Sequence, residues 1–289
     1  MAKRKSEIME LPEVDNLEVA ELPEELEVVE LPEVDNVPCR DIPMSCSVPE
    51  AVDMFWLHGW CILSPSLVEL PEDLVQTIHN EMWAYVPSAG NCRWNEVSNE
   101  GYDPNRFSMN SLEHVHSPTW RQVCKTLFHD THPFSQFMTA MTGGFDKHSR
   151  CFFDRAGGDK VLPGGHGQRL HSDHPGWSQN LPALIVASLS CRALPPNAAP
   201  ISIMSYKTGK EYLALLPVGA LLVRDCNSWH RGTANTSSVG RCLPAIRLFH
   251  VGYTNNWEWR PPRSVSDQLF REYFPEQHMA DRMQYLWKA

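Results

Sequence analysis

The stretch QRLHSD at residues 168–173 decides how the rest of the sequence is interpreted. In an extended strand, residues two positions apart project from the same face, so His171 and Asp173 point the same way with Cα atoms ~7 Å apart. At that separation an imidazole nitrogen and a carboxylate oxygen can meet on one metal ion at about 2 Å from each. The pair therefore predicts two ligands of a metal site.

A third ligand is expected from the segment DCNSWHRGT at residues 225–233, which directly follows the apolar run 220–223. Its His230 completes a set of two histidines and one carboxylate. Such a facial triad leaves three octahedral positions open, as in non-haem Fe(II) oxygenases. Two open positions can chelate a 2-oxo acid and the third can take O2. The hypothesis is therefore an Fe(II) enzyme that uses 2-oxoglutarate and O2.

A 2-oxo acid also needs an anchor for its far carboxylate, and the planar fork of arginine pairs bidentately with such a group. Arg241 lies 11 residues after His230. The turn-forming residues 235–240 between them predict a hairpin that brings Arg241 back beside the metal ligands. Arg247 shares strand parity with Arg241, so it remains an alternative anchor or a group that binds a substrate acid.

Together these pieces resemble the phytanoyl-CoA dioxygenase family of 2-oxoglutarate oxygenases. The resemblance runs from MFWLHGW at residues 54–60 to about Val251, and its most specific parts are QxxHxD at 168–173 and WHRGTxN at 229–235, followed by Arg241. The resemblance implies a mainly β fold with flanking helices, namely a double-stranded β-helix, also called a jelly roll and similar to the cupins.

The same resemblance implies a role for each site residue. It places His171, Asp173 and His230 on iron and Arg241 on the C5 carboxylate of 2-oxoglutarate. Gln168 resembles a glutamine that helps to position 2-oxoglutarate, and Thr233 stands near a hydroxyl position that assists the arginine. Halogenating relatives lack the carboxylate ligand, so the presence of Asp173 favours oxygenation.

The distribution of apolar and polar residues along the sequence also favours a β-rich centre surrounded by helices. From about residue 150, short apolar runs alternate with turns, which favours an all-β sandwich or barrel. Residues 84–115 are polar and are predicted to form loops. The spacing of apolar residues predicts a short strand at 60–63 and helices over 48–59, 71–83, 118–141 and 264–287.

The first 45 residues differ from the remainder in charge and repetition. They hold 13 acidic and 4 basic residues, whereas the following 244 hold 22 and 21, and ELPE occurs at 10–13, 21–24 and 30–33. Repeated prolines block helices, and such acidic, aromatic-free composition buries too little apolar surface to fold. The sequence predicts a disordered acidic tail over 1–45 and one oxygenase domain over 46–289. The tail serves either as a solvated spacer or as a segment that binds a partner protein.

Composition also excludes several classes of function. The nearly neutral domain has no basic stripe for nucleic acid. The longest apolar run, 213–223, is interrupted by Pro217 and Gly219 and is too short to span a bilayer. Nine scattered cysteines without a CxxC pair indicate reduced thiols, so the cytoplasm is the expected location.

The expected reaction couples decarboxylation of 2-oxoglutarate to succinate and CO2 with oxidation, by default hydroxylation, of a small organic molecule. Two rival hypotheses remain. One is a cupin-type metal enzyme that does not use a 2-oxo acid, and it would not need Arg241. The other is a non-catalytic interaction protein that works through the acidic tail.

Overall fold

The computed structural model describes residues 43–84, 92–98, 101–109, 118–142, 151–173 and 184–250. The predicted acidic tail, apart from residues 43–45, and the predicted helix over 264–287 lie outside the described residues. The domain boundary at residues 45/46 therefore stays a prediction.

Five helices and ten strands make up the described part of the chain. The helices are α1 (Val48–His58), α2 (Pro65–Val68), α3 (Glu72–Ala84), α4 (Pro118–Leu127) and α5 (Pro133–Thr142). The strands are β1 (Trp60–Leu63), β2 (Cys92–Ser98), β3 (Gly101–Met109), β4 (Cys151–Val161), β5 (Leu184–Leu189), β6 (Ile201–Met204), β7 (Glu211–Ala214), β8 (Leu221–Asp225), β9 (His230–Gly232) and β10 (Arg241–His250).

Helix α1 shows how the sequence sets its boundaries. The Ser47 hydroxyl caps the first turn by accepting a hydrogen bond from the Glu50 N–H. Gly59 ends the helix in the left-handed region at φ 81° and donates its N–H to the Phe55 carbonyl. A Cβ at Gly59 would collide with the Ser228 hydroxyl and the Tyr206 ring. This glycine therefore lets α1 end directly against the turn that leads into β9.

The strands form two antiparallel sheets. The larger has seven strands in the order β1-β8-β5-β10-β4-β3-β2, and the smaller has three in the order β7-β6-β9. Because consecutive strands such as β8 and β9, or β9 and β10, lie in different sheets, the chain winds back and forth between two layers. The predicted jelly roll is confirmed.

The two faces of the large sheet pack against different partners, as strand alternation requires. Cys61, Val223 and Ile246 belong to a core shared with helices α1 and α3 to α5. Their strand neighbours Ile62 and Leu222 belong to a second core shared with Ile203 and other residues of the small sheet. We call these the outer face and the inner face. Leu243 of β10 is on the inner face. Arg241 and Arg247 are an even number of residues from Leu243 along the same strand, so their side chains point to the inner face as well.

Two predictions about local structure are wrong. Residues 84–115 do not consist of loops alone, because β2 and β3 pair within them and extend the large sheet. Residues 235–240 do not close a hairpin, because β9 pairs with β6 and β10 pairs with β4 and β5. The turn-forming residues instead carry the chain from one sheet to the other.

The predicted helices over 48–59, 71–83 and 118–141 are confirmed, the last as the pair α4 and α5. Six cysteines, Cys46, Cys61, Cys124, Cys191, Cys226 and Cys242, are free thiols. Burial raises the pKa of five of them, Cys61, Cys124, Cys191, Cys226 and Cys242. Among the described residues, no helix combines the length and the apolar composition needed to cross a membrane.

Candidate metal centre

The structure brings His171, Asp173 and His230 together. One ligand atom from each lies within 4.8 Å of the others, and no other set of three or more such residues occurs in the described part of the chain. The His171 Nε2 is 3.8 Å from the Asp173 Oδ1, and the His230 Nε2 is 3.6 Å from the Asp173 Oδ2. The sequence therefore identified the three residues that share one site.

Backbone hydrogen bonds hold these residues in place. His171 and His230 form an isolated antiparallel bridge, with reciprocal N–H to carbonyl bonds of 2.9 and 2.8 Å. The Asp173 N–H donates to the Cys226 carbonyl at 3.1 Å. The sequence predicted a regular strand here. Residues 168–173 instead form an irregular extended segment, the ligand strip, whose backbone is hydrogen-bonded to residues 226–232 in the β8–β9 turn and β9. The strip still presents His171 and Asp173 to the same side.

The hydrogen bonds of the two imidazoles leave their Nε2 atoms available as ligands. The His171 Nδ1 lies 2.7 Å from the Arg169 carbonyl, and the His230 Nδ1 lies 2.8 Å from the Ser228 carbonyl. A carbonyl only accepts, so each Nδ1 carries the hydrogen and each Nε2 keeps its lone pair. This arrangement is typical of metal-binding histidines, whose other nitrogen is oriented by a backbone or carboxylate acceptor.

Arg224 is the part of the site that the sequence interpretation missed. It lies in β8 and is 8% exposed, and its Nη2 pairs with the Asp173 Oδ2 at 3.0 Å. Burial acts to raise the pKa of the Asp173 carboxyl, but the Arg224 cation and His230 outweigh it and hold the pKa below its usual range. The carboxylate is therefore ionised and ready to bind a cation.

Burial and the Arg224 cation lower the pKa of His230 to about 3. The Arg224 Nη1 also lies 3.4 Å from the His230 Nδ1. That contact is not a hydrogen bond when His230 Nδ1 donates to Ser228, because both nitrogens then carry hydrogens. His230 is thus a neutral imidazole, which is the form that binds metals.

Arg241 begins β10 and is 2% exposed on the inner face. Its Nε, Nη1 and Nη2 atoms have no hydrogen-bond partner among the described residues. Burial lowers the pKa of Arg241 to about 10, with a smaller contribution from Arg106, while Asp159 opposes the shift. The guanidinium stays charged at neutral pH, so this buried cation lacks a hydrogen-bond partner in the described part of the chain, and the arrangement fits an anionic ligand.

Gln168 and Thr233 are hydrogen-bonded to the backbone around the site. The Gln168 Oε1 accepts from the Gly232 N–H at 2.8 Å, while the Gln168 N–H donates to the Gly232 carbonyl at 2.8 Å. The Thr233 hydroxyl donates to the Pro200 carbonyl at 2.8 Å. These bonds fix the end of β9. A role for either residue toward 2-oxoglutarate stays a prediction.

Arg106 also went unrecognised in the sequence, because it lies in β3, where loops were predicted. Its side chain is buried and donates from Nε and Nη2 to the His166 carbonyl, at 3.1 and 2.9 Å, and from Nη2 to the Thr233 carbonyl. Gly232 is required here, because a Cβ would collide with the Arg106 guanidinium. Arg106 therefore ties the ligand strip to the residues that follow β9.

Other histidine, arginine and tryptophan residues have smaller parts or lie outside the described residues. His166 is exposed, and its backbone makes two hydrogen bonds: its carbonyl accepts from Arg106, and its N–H donates to Asp103. Arg247 is half-buried, and its parity places it on the inner face with Arg241. His174, Trp177, Trp257 and Trp259 lie outside the described residues.

The donor set fits a divalent transition metal. Two imidazoles and one ionised carboxylate form the facial triad associated with non-haem Fe(II), and the Asp173 side chain is 34% exposed, so the site opens to solvent. A role for Arg241 toward the far carboxylate of a 2-oxo acid stays a prediction.

Solved structures with this fold include several 2-oxoglutarate-dependent enzymes. The epimerase SnoN, in complex with Fe3+, alpha ketoglutarate and nogalamycin RO, matches with a TM-score of 0.54 and 11% identity over 75% of this chain and 93% of SnoN. The carbocyclase SnoK from nogalamycin biosynthesis matches with a TM-score of 0.51 and 12% identity over 72% of this chain and 87% of SnoK. HygX from Streptomyces hygroscopicus, with nickel and 2-oxoglutarate bound, matches with a TM-score of 0.52 and 10% identity over 73% of this chain and 89% of HygX.

No protein-family model matches the sequence, and no curated protein matches it. The resemblance to the phytanoyl-CoA dioxygenase family is therefore not confirmed. At 10 to 12% identity the structural neighbours establish the fold alone. This chain has the jelly-roll fold of iron- and 2-oxoglutarate-dependent enzymes, and it carries a His-Asp-His triad within that fold.

Proposed function

We propose that this protein is a non-haem iron(II), 2-oxoglutarate-dependent dioxygenase that hydroxylates a small organic molecule and belongs among the phytanoyl-CoA dioxygenase-like enzymes. One observation carries the proposal: an assembled His171–Asp173–His230 triad occurs in the same domain as a buried arginine whose guanidinium has no partner among the described residues.

In this proposal, the triad residues bind the metal and Arg241 binds the co-substrate. His171 and His230 bind iron through Nε2, because their Nδ1 atoms donate to carbonyls. Asp173 supplies the anionic ligand, and Arg241 binds the C5 carboxylate of 2-oxoglutarate. Gln168 and Thr233 hold the end of β9 and thereby support the co-substrate site. When bound, Fe(II) and 2-oxoglutarate supply the oxidising chemistry, in which O2 yields succinate, CO2 and a hydroxylated product.

Exposed aromatic side chains next to the triad support an organic substrate. Trp229 directly precedes His230 and is 49% exposed. Tyr206 is 50% exposed and packs against Gly59 beside the same turn, where its hydroxyl donates to Asp225. Small-molecule sites are lined mainly by apolar and aromatic groups with a few polar ones, and these two side chains suit that description.

The decisive test is an anaerobic titration of the purified protein with Fe(II) and 2-oxoglutarate. We expect the weak visible metal-to-ligand charge-transfer band that arises when a 2-oxo acid chelates Fe(II). Asp173→Ala should abolish the band, because it removes the only carboxylate of the triad. Glu211→Ala is the matched control, since it removes a half-buried carboxylate that pairs with Arg231 instead.

The outcomes separate the rival functions. Bound metal without the band in folded wild-type protein would contradict the use of 2-oxoglutarate and favour a cupin-type enzyme. Failure to bind metal would favour a non-catalytic protein. Because the structural neighbours include an epimerase and a carbocyclase, product analysis with 18O2 must then show whether oxygen enters the product.

A further inference from the structure

Arg224 occupies a position where a charged side chain is costly. Its strand neighbours in β8, Leu222 and Val223, are fully buried, and the residue paired with it in β1 is the buried Trp60. Its Nε has no partner among the described residues, and Nη2 makes the ion pair with Asp173. An ion pair taken out of water rarely adds stability. The contact with Asp173 therefore calls for an explanation other than stability.

The two oxygens of the Asp173 carboxylate have different partners. Oδ2 accepts from the Arg224 Nη2 at 3.0 Å, whereas Oδ1 accepts no hydrogen bond from the described residues and lies 3.8 Å from the His171 Nε2. A metal that bound both oxygens would compete with the guanidinium for Oδ2. A metal that bound Oδ1 alone would leave the ion pair intact.

We propose that Arg224 is a positioning residue that keeps Asp173 a single-oxygen ligand. This inference rests on the proposed function. A triad with three single donors leaves three of six positions open, two for 2-oxoglutarate and one for O2. If Asp173 bound through both oxygens, it would occupy one of those three. Arg224 thus preserves the number of open positions that the reaction needs.

The test compares Arg224→Met, Arg224→Lys and a matched control, each loaded with Co(II) in the absence of O2. Arg231→Met is the control, because Arg231 makes a similarly short pair with Glu211 at 2.8 Å in β9 and β7, outside the triad. Three quantities are measured: the Co(II) dissociation constant, the ligand-field spectrum, which reports coordination number, and the 2-oxoglutarate dissociation constant of the Co(II)-loaded protein.

We expect Arg224→Met to weaken Co(II) binding about 10- to 100-fold, as loss of groups that orient metal ligands does. Its ligand-field spectrum should change, and 2-oxoglutarate should bind more weakly. Arg224→Lys should lie between Met and wild type, since lysine keeps the charge but not the planar fork. Arg231→Met should match wild type in all three measurements.

Unchanged or tighter binding of Co(II), with an unchanged spectrum, in folded Arg224→Met would overturn the proposal. Tighter binding with that unchanged spectrum would mean that the guanidinium merely repels the metal. If the Met variant does not fold, Arg224→Lys decides, and a wild-type spectrum and affinity in that variant would overturn the proposal. A wild-type protein that fails to give the Fe(II)–2-oxoglutarate band contradicts the proposed function instead, so the two failures are distinguishable.

Discussion

The outer and inner faces of the seven-stranded sheet are built from the same strands but hold different kinds of residue. In β8 and β10 the outer face carries mainly apolar side chains and thiols, such as Val223, Cys242 and Ile246, packed under the helices. The inner face of the same strands carries Arg224, Arg241 and Arg247 between the two sheets. The side chains on one face of these strands therefore build the apolar core, and those on the other face include three arginines, of which Arg224 pairs with the triad residue Asp173.

The regular sheet supports an irregular site through this division of its two faces. The outer core fixes the strands, so the inner face can hold buried cations that would otherwise destabilise the domain. Stability and ligand binding should then respond separately to substitutions on the two faces, even when both substitutions lie in one strand.

The largest expected effect comes from Arg241→Met on the inner face. Loss of a buried partner of a carboxylate costs about 3–5 kcal/mol, so the Kd for 2-oxoglutarate should rise about 100-fold or more. In the absence of 2-oxoglutarate the same variant should be about 1–3 kcal/mol more stable to urea, because an unpartnered buried cation is removed. Isothermal titration of the Co(II)-loaded protein and urea unfolding of the metal-free protein check the two expectations.

Arg247→Met is the control for that prediction, since Arg247 shares the strand and the parity. It should leave the affinity for 2-oxoglutarate near the wild-type value. If Arg247→Met weakens binding and Arg241→Met does not, Arg247 is the anchor and the assignment of Arg241 is wrong.

A smaller effect is expected from Ile246→Ala on the outer face of β10, and it should lower stability rather than ligand affinity. Ile246 is 2% exposed, and its truncation should lower the free energy of unfolding by about 2–5 kcal/mol through lost burial and a residual cavity. The dissociation constants for Co(II) and 2-oxoglutarate should not change in the folded fraction. An equal loss of ligand affinity would show that the two faces are coupled.

The smallest effect concerns pH and the helical layer above the outer face. His132 is buried, with Nδ1 accepting from the Phe134 N–H and Nε2 facing the Val68 carbonyl. Burial, with a contribution from His129, lowers the pKa of His132 from 6.5, although the Val68 carbonyl and Glu69 oppose the shift. Below pH 6.5 the unfolded chain therefore binds more protons at this position than the folded chain.

The stability contributed by neutral His132 is thus present above pH 6.5 and is lost as pH falls toward the lowered pKa, with a slope of at most about 1.4 kcal/mol per pH unit. Urea unfolding at pH 7.5 and 5.5 should show a smaller pH dependence for His132→Gln than for wild type. The exposed His129 provides the comparison, and His129→Gln should change the dependence much less than His132→Gln, because His129 makes the smallest contribution to the shift in the pKa of His132. Equal slopes in all three proteins would contradict the prediction.

Local patterns in the sequence were enough to predict much of the fold and the triad. His171 and Asp173 are two residues apart, and His230 follows a buried strand, so their chemistry is visible in short segments. Helices α1 and α3 have apolar residues at helical spacing and clear ends, such as Gly59. These features depend on residues close to one another in the chain.

The features that were missed depend on distant residues. Arg224 pairs with Asp173 across 51 positions, and within LLVRD it looks like an ordinary charged end to a strand. Strands β2 and β3 are polar, and Pro104 interrupts β3, so they lack the alternation that indicates a strand. The hairpin expected at residues 235–240 failed because a turn-rich segment does not specify which sheet receives the next strand.

The strip that carries His171 and Asp173 has a consequence for how the metal is exchanged. Its backbone bonds at Gln168, His171 and Asp173 all go to residues 226–232, which also include His230. The site is therefore held by peptide groups rather than by the ion itself. Unlike a zinc finger, which unfolds without its metal, this domain should stay folded after chelation and take up metal again without refolding.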